Sequence, residues 1–160
     1  MSEEKRVKYY AVDFDAVIST YKGWKGKRVF GFPIDGVQTC LKLIQESGGK
    51  IIIYTTRLEI DEIKKYLSQF DIPFDYVNFS PLTQELDLHP SKIMADVYID
   101  DRGFRFDGIW NEEVVEKIIS FETYWEKERK ESAKVSDYPV INLSNSGERV
   151  VGQSHRHKKI

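Results

Sequence analysis

The chain has one cysteine, Cys40, so no intrachain disulfide can form and no zinc site can draw on more than one thiolate. Cys40 itself reads as a small apolar residue on a helix face. No apolar run is long enough to cross a bilayer, which excludes a membrane-spanning helix. Neither sign of charge is in excess. With 24 Lys and Arg against 26 Asp and Glu, the net charge of −2 provides no overall field for nucleic acid or an anionic membrane. Nucleic acid is therefore a partner that the charge balance leaves open but unsupported. The histidines, His89, His155 and His157, lack metal-type spacing with acidic partners and read as solvated. Internal repeats and low-complexity segments are missing as well. The opening stretch Met1-Ser2-Glu3-Glu4-Lys5-Arg6 is charged and leads straight into a strand-like segment, leaving no room for a secretory h-region, so a cytoplasmic protein is expected.

What remains is an ordinary globular composition, 41% hydrophobic and 31% charged over 160 residues, enough for one core without covalent staples. Residues 7–12 read as a first strand. The turn-rich stretch 19–33 follows, with Gly23, Gly26 and Gly31 around Trp24, Val29 and Phe30, and suits a short β-hairpin or flap spanning about 18–33. A helix starting at Ile34-Asp35-Gly36 carries Val37, Leu41 and Ile44 at helical spacing and is stopped by Gly48-Gly49. The β-branched run 50–54 is a second strand, ended by Thr55-Thr56-Arg57. A second helix is expected over 60–70 and a third strand over 76–79. Pro81 and Pro90 make 80–92 a loop with at most a helical turn near 84–86. Residues 97–99 form a fourth strand and 102–110 a loop. A long helix is expected from an N-cap at Asn111 to about 133, burying Val114, Ile118, Phe121 and Trp125. Residues 138–143 would add an edge strand or reach a neighbouring subunit. Alternating strands and helices predict an α/β fold, a Rossmann-like parallel sheet flanked by helices, with its chemistry at the carboxyl edge.

The polar residues of interest all fall at that edge. Val12-Asp13-Phe14-Asp15 ends strand one, Thr55 ends strand two, Lys92 precedes strand four, and Ile99-Asp100-Asp101 ends it. Aspartate is depleted in strand interiors, whereas the open ends of parallel strands form ligand crevices. Converging hard-oxygen ligands point to magnesium and to phosphoryl transfer.

This ordered set resembles the haloacid dehalogenase-like superfamily, whose phosphatases carry Asp-x-Asp after strand one, Ser or Thr after strand two, a Lys, and an acidic pair after strand four. Here these are Asp13-Phe14-Asp15, Thr55, Lys92 and Asp100-Asp101, spanning about residues 7–110. The resemblance implies a Mg2+-dependent phosphatase acting on phosphomonoesters. In it Asp13 is nucleophile and metal ligand, forming an aspartyl-phosphate. Asp15 is general acid then general base, and ligates the metal through its carbonyl. Thr55 and Lys92 hold the phosphoryl group, with backbone amides after Asp13 completing the cradle. Asp100 and Asp101 complete the cation site, with their division between direct and water-mediated contact open.

One departure is Ala16, where a Gly often follows the second Asp; a loop needing φ > 0 there would be strained by about 1 kcal/mol. Another is the lack of room for a cap domain, because 19–33 and 58–91 are used up. A single capless haloacid dehalogenase-like domain is expected over 1–135, with 136–160 a basic tail or subunit-packing arm. Such an open site suits a bulky or macromolecular phosphoester, or a small one enclosed by a homo-oligomer. Arg57, Arg102 and Arg105 are candidates for a second anionic group, or for ion pairs with local acids such as Glu59 and Asp107. Trp24 and Trp110 read either as stacking platforms or as half-buried packing. The competing reading for the whole set is a non-catalytic metal- or phosphate-binding module on the same fold.

Overall fold

The computed structural model describes residues 6–132 and the backbone of residues 140–143 and 149–152. In chain order it contains β1 (Tyr9–Asp13), β2 (Val29–Gly31), α1 (Val37–Glu46), β3 (Lys50–Tyr54), α2 (Ile60–Gln69), β4 (Tyr76–Val77), α3 (Pro81–Glu85), β5 (Val97–Ile99), α4 (Glu112–Ile119), α5 (Tyr124–Glu131), β6 (Val140–Leu143) and β7 (Arg149–Gly152). Four strands form one parallel sheet in the order β4-β3-β1-β5. The expected α/β, Rossmann-like architecture is therefore the fold. No helix among the described residues is long and apolar enough to cross a membrane.

Hydrophobic pattern explains the assembly. Ile51, Ile52 and Ile53 are all fully buried, as β-branched residues in an inner parallel strand should be. Alternate side chains of β1 and β3, Val12, Ile51 and Ile53, join Phe14 on one face and pack against Leu41 of α1 and Ile63, Tyr66 and Leu67 of α2. Each such buried aliphatic side chain contributes about 1.5–3 kcal/mol. From central β1 the chain moves outward through β3 to β4, then returns to β1's other side as β5. The carboxyl ends of β1 and β5 consequently flank a topological switch point, the place where such sheets bind ligands.

Four local expectations change. The helical turn expected near 84–86 lies earlier and runs slightly longer, as α3, with Pro81 in its first turn, where proline's missing N–H costs nothing. The expected helix 111–133 is two helices. Asn111 caps α4 as anticipated, its side chain accepting from Val114 N–H, but the helix ends at Ser120, and Thr123 opens α5 with a capping box to Glu126. Of the expected stripe only Trp125 is buried, since Ile118 and Phe121 remain exposed. The flap is no self-contained hairpin either. Its strand β2 pairs antiparallel with β6, and β6 with β7, in a second, three-stranded sheet. So 140–143 does add a strand, to β2 rather than to the parallel sheet; residues 138–139 and 153–160 lie outside the described residues.

Candidate metal and phosphate site

The first loop is built by its backbone. Ile18 and Ser19 N–H both donate to the Phe14 carbonyl, and Ala16 N–H to Ser19 O at 2.8 Å. This tight turn drives Ala16 to φ 66, the left-handed conformation that the missing glycine would have tolerated freely. Tyr124 of α5 donates its hydroxyl hydrogen bond to the Ala16 carbonyl, pinning the turn from outside.

Asp13, Asp100 and Asp101 converge across the switch point, each offering an oxygen within 4.8 Å of the others'. They line one wall of a cleft of about 660 Å³ with Asp15, Tyr21, Tyr54, Thr55, Thr56, Asn78 and Arg102. Asp13 Oδ1 accepts from Phe14 N–H at 2.7 Å, which orients the carboxylate. Burial pushes Asp13 up to about 7 against that hydrogen bond, and the nearby Asp100, Asp101 and Asp15 charges add to the rise. Asp100 accepts from Arg102 N–H at 2.7 Å and from the Tyr54 hydroxyl, which burial and that contact keep protonated. Asp101 Oδ2 accepts from Trp125 Nε1–H, while its Oδ1 is buried without a hydrogen-bond partner. A buried, unpartnered carboxylate oxygen among other carboxylates is costly unless a cation meets it.

Thr55 is set by a side chain the sequence did not flag. Asn78, in the left-handed region at φ 49, accepts from Thr55 N–H at 2.8 Å and donates to the Thr55 carbonyl at 2.9 Å. Thr55 Oγ1 accepts from Arg57 N–H at 3.2 Å, so its own proton stays available for the cleft. An Asn just after a short strand was the only available signal.

Asp15 does not join the carboxylate cluster with its side chain. Arg57 grips it through two hydrogen bonds, Nε to Oδ2 at 2.6 Å and Nη2 to Oδ1 at 2.8 Å. The Arg57 side chain is only 3% exposed against 21% for Asp15. Nη2 also reaches the Val29 carbonyl of β2 at 3.3 Å, and the rings of Trp24 and Phe30 each lie 4.8 Å from the guanidinium carbon. Those ring contacts offset the lack of a hydrogen-bond partner at buried Nη1. Glu59 is thus not the partner of Arg57, whereas Arg105 does pair with Asp107, at 3.5 Å on the surface. Arg102 lines the cleft, its guanidinium 5.2 Å from the Trp125 ring.

Lys92 is placed differently. It lines an adjoining cavity of about 730 Å³ that shares Tyr54, Ser91, Ile93 and Asp100 with the cleft, its ammonium 5.9 Å from the Tyr98 ring. The amides expected to complete a phosphate cradle are partly engaged, Phe14 N–H by Asp13 and Ala16 N–H by Ser19. Asp96 lies at the opposite edge of the sheet, accepting from Tyr9 N–H at 2.8 Å and pairing with Arg6.

Among solved structures, a conserved protein from Bacteroides thetaiotaomicron is similar over 82% of this chain and 100% of its own, with 22% identity and a TM-score of 0.51. That likeness concerns the fold alone. A protein from Vibrio cholerae aligns over 76% of this chain and 99% of its own, with 21% identity and a TM-score of 0.41. No family model matches the chain, and no curated protein matches it significantly.

Proposed function

We propose that the protein is a Mg2+-dependent phosphatase of the haloacid dehalogenase-like type, hydrolysing phosphomonoesters through an aspartyl-phosphate on Asp13. The observation that carries this reading is the meeting of Asp13, Asp100 and Asp101 at the switch point, with Asp101 Oδ1 buried and unpartnered. Their all-oxygen donor set fits a hard divalent cation. Asp13, Asp100 and Asp101 would hold the ion, Asp101 offering Oδ1, and the Asp15 carbonyl is the further ligand that the family resemblance implies. When bound, magnesium supplies positive charge that offsets repulsion between carboxylate and phosphate and keeps Asp13 ionised.

In the first step an Asp13 carboxylate oxygen attacks phosphorus while the bond from phosphorus to the leaving-group oxygen breaks, and Asp15 protonates that oxygen, which requires it to take up a proton and turn one oxygen away from Arg57. In the second, water attacks the aspartyl-phosphate and gives its proton to Asp15. Inorganic phosphate leaves, Asp13 returns as the carboxylate and Asp15 as the protonated acid that began the cycle. Thr55 donates its hydroxyl hydrogen bond to a phosphoryl oxygen. Lys92 balances charge on the transferred group, which requires its ammonium to swing from Tyr98 toward the cleft, within reach of a long, exposed side chain.

Turnover of 4-nitrophenyl phosphate tests the reading. Wild type is expected to release phosphate with Mg2+ and not with EDTA, and Asp13→Asn to lose at least 1,000-fold, on the order seen when a nucleophile is removed. Inactivity of wild type across aryl, sugar and nucleotide phosphates would favour the binding-module alternative.

A further inference from the structure

The stretch from Val17 to Ile34 contains no acid, although the whole chain has 26 Asp and Glu. Four cations, Lys22, Lys25, Lys27 and Arg28, are interleaved there with Tyr21, Trp24 and Phe30. Arg28 pairs with Glu62 at 3.0 Å and Lys22 reaches Ser132 Oγ at 3.5 Å, which tie the ends of the segment to the body. Lys25 and Lys27, flanking the tip, are exposed. Between the tied ends Trp24 is 57% exposed, yet its ring is held on the Arg57 guanidinium, which in turn grips Asp15. An aromatic face fixed in this way, with free cations beside it, is the arrangement that receives an unstacked base and its neighbouring phosphates.

We propose that this flap binds the end of a single-stranded nucleic acid whose terminal phosphomonoester enters the cleft. Trp24 stacks on a base near that end, and Lys25 and Lys27 meet adjacent phosphodiesters. The part of this inference that concerns the terminal phosphate rests on the phosphatase reading. Asp15 faces the leaving-group oxygen in that reading, so the rest of the substrate departs on the side where Arg57 and Trp24 stand. Among the described residues no separate domain lies over the cleft, which suits a polymer end. A free nucleotide shares the same chemistry and must be separated by experiment.

The test is fluorescence anisotropy of fluorescein-labelled oligothymidylate octamers carrying a 5′- or a 3′-phosphate. The full chain is used with Mg2+ in the Asp13→Asn background, so the probe survives. Binding by the parent is expected, weakened about tenfold or more by Trp24→Ala. The exposed pair Lys25→Gln/Lys27→Gln, which leaves the Arg57 contact intact, is expected to weaken binding and lower the slope of log affinity against log salt by about 1.4. No binding by the parent, or values unchanged in both variants, would overturn the proposal. Thymidine 3′,5′-bisphosphate competing as well as the octamer would assign the flap to free nucleotides and overturn it too. Wild-type turnover of 4-nitrophenyl phosphate is read in parallel. Trp24-dependent binding without turnover removes the phosphatase reading and leaves the flap's role standing, whereas turnover without such binding does the reverse.

Discussion

Asp13 makes the metal-free protein sensitive to pH. Its folded value of about 7 lies above the ordinary 3.8, so between those values the folded state holds a proton that the unfolded state has lost. The stability Asp13 contributes is fully present below 3.8 and is lost as pH rises through about 7. In EDTA at pH 8, Asp13→Asn is therefore expected to melt at a higher temperature than the parent, with the gap closing toward pH 5; thermal melts at both values check this. Mg2+ competes with the same proton, and calorimetric titration should show affinity falling up to about tenfold per pH unit below 7 and levelling off above. Arg57 works in the opposite sense. Arg57→Met would strand Asp15 and is expected to cost roughly 3 kcal/mol in a urea melt, and Arg57→Lys most of that, because an ammonium cannot reproduce the two-pronged grip. The six site residues read from sequence were found through residue type at strand ends. Five of them, Asp13, Asp15, Thr55, Asp100 and Asp101, line one cleft. The Arg57 pairing was hidden because Asp15 and Arg57 are brought together by neighbouring strands, and sequence distance carries no trace of that.

Elements were legible in proportion to their periodicity. The apolar run of β3 and the stripes of α1 and α2 carry strong periods, and they fold as read. The α4–α5 break was missed because Val114, Ile118, Phe121 and Trp125 continue a helical spacing straight across it. The contrary signal was Thr123-x-x-Glu126, a capping box in the middle of that run. The break re-aims α5 so that Trp125 reaches Asp101 and Tyr124 reaches Ala16. Thr123→Ala removes the cap, with an expected loss of about 1 kcal/mol by urea melt and weaker Mg2+ binding by calorimetry. The β2–β6 pairing had no sequence signature at all, since nothing in either segment names its partner.

The whole molecule joins two sheets through the flap. Tyr66 of α2 donates to the Gly31 carbonyl at 2.9 Å, and Arg57 to that of Val29, so β2 is anchored to the body as well as to β6. At Gly31 even a methyl group would meet the Thr20 carbonyl oxygen at 1.9 Å. Gly31→Ala is expected to force the two segments apart, read as faster hydrogen exchange of the amides of β2. The β2–β6 pairing also bears on how the protein is made. A ribosome releases the first carboxylates and the flap early, β5 much later, and β6 later still. Until β5 is made, the newborn chain thus carries Asp13 and Asp15 without the strand that brings Asp100 and Asp101 beside them. The strand that pairs with the flap, β6, is laid down after the whole parallel sheet has emerged. Translation order alone keeps this chemistry unassembled until the fourth strand of the parallel sheet is out.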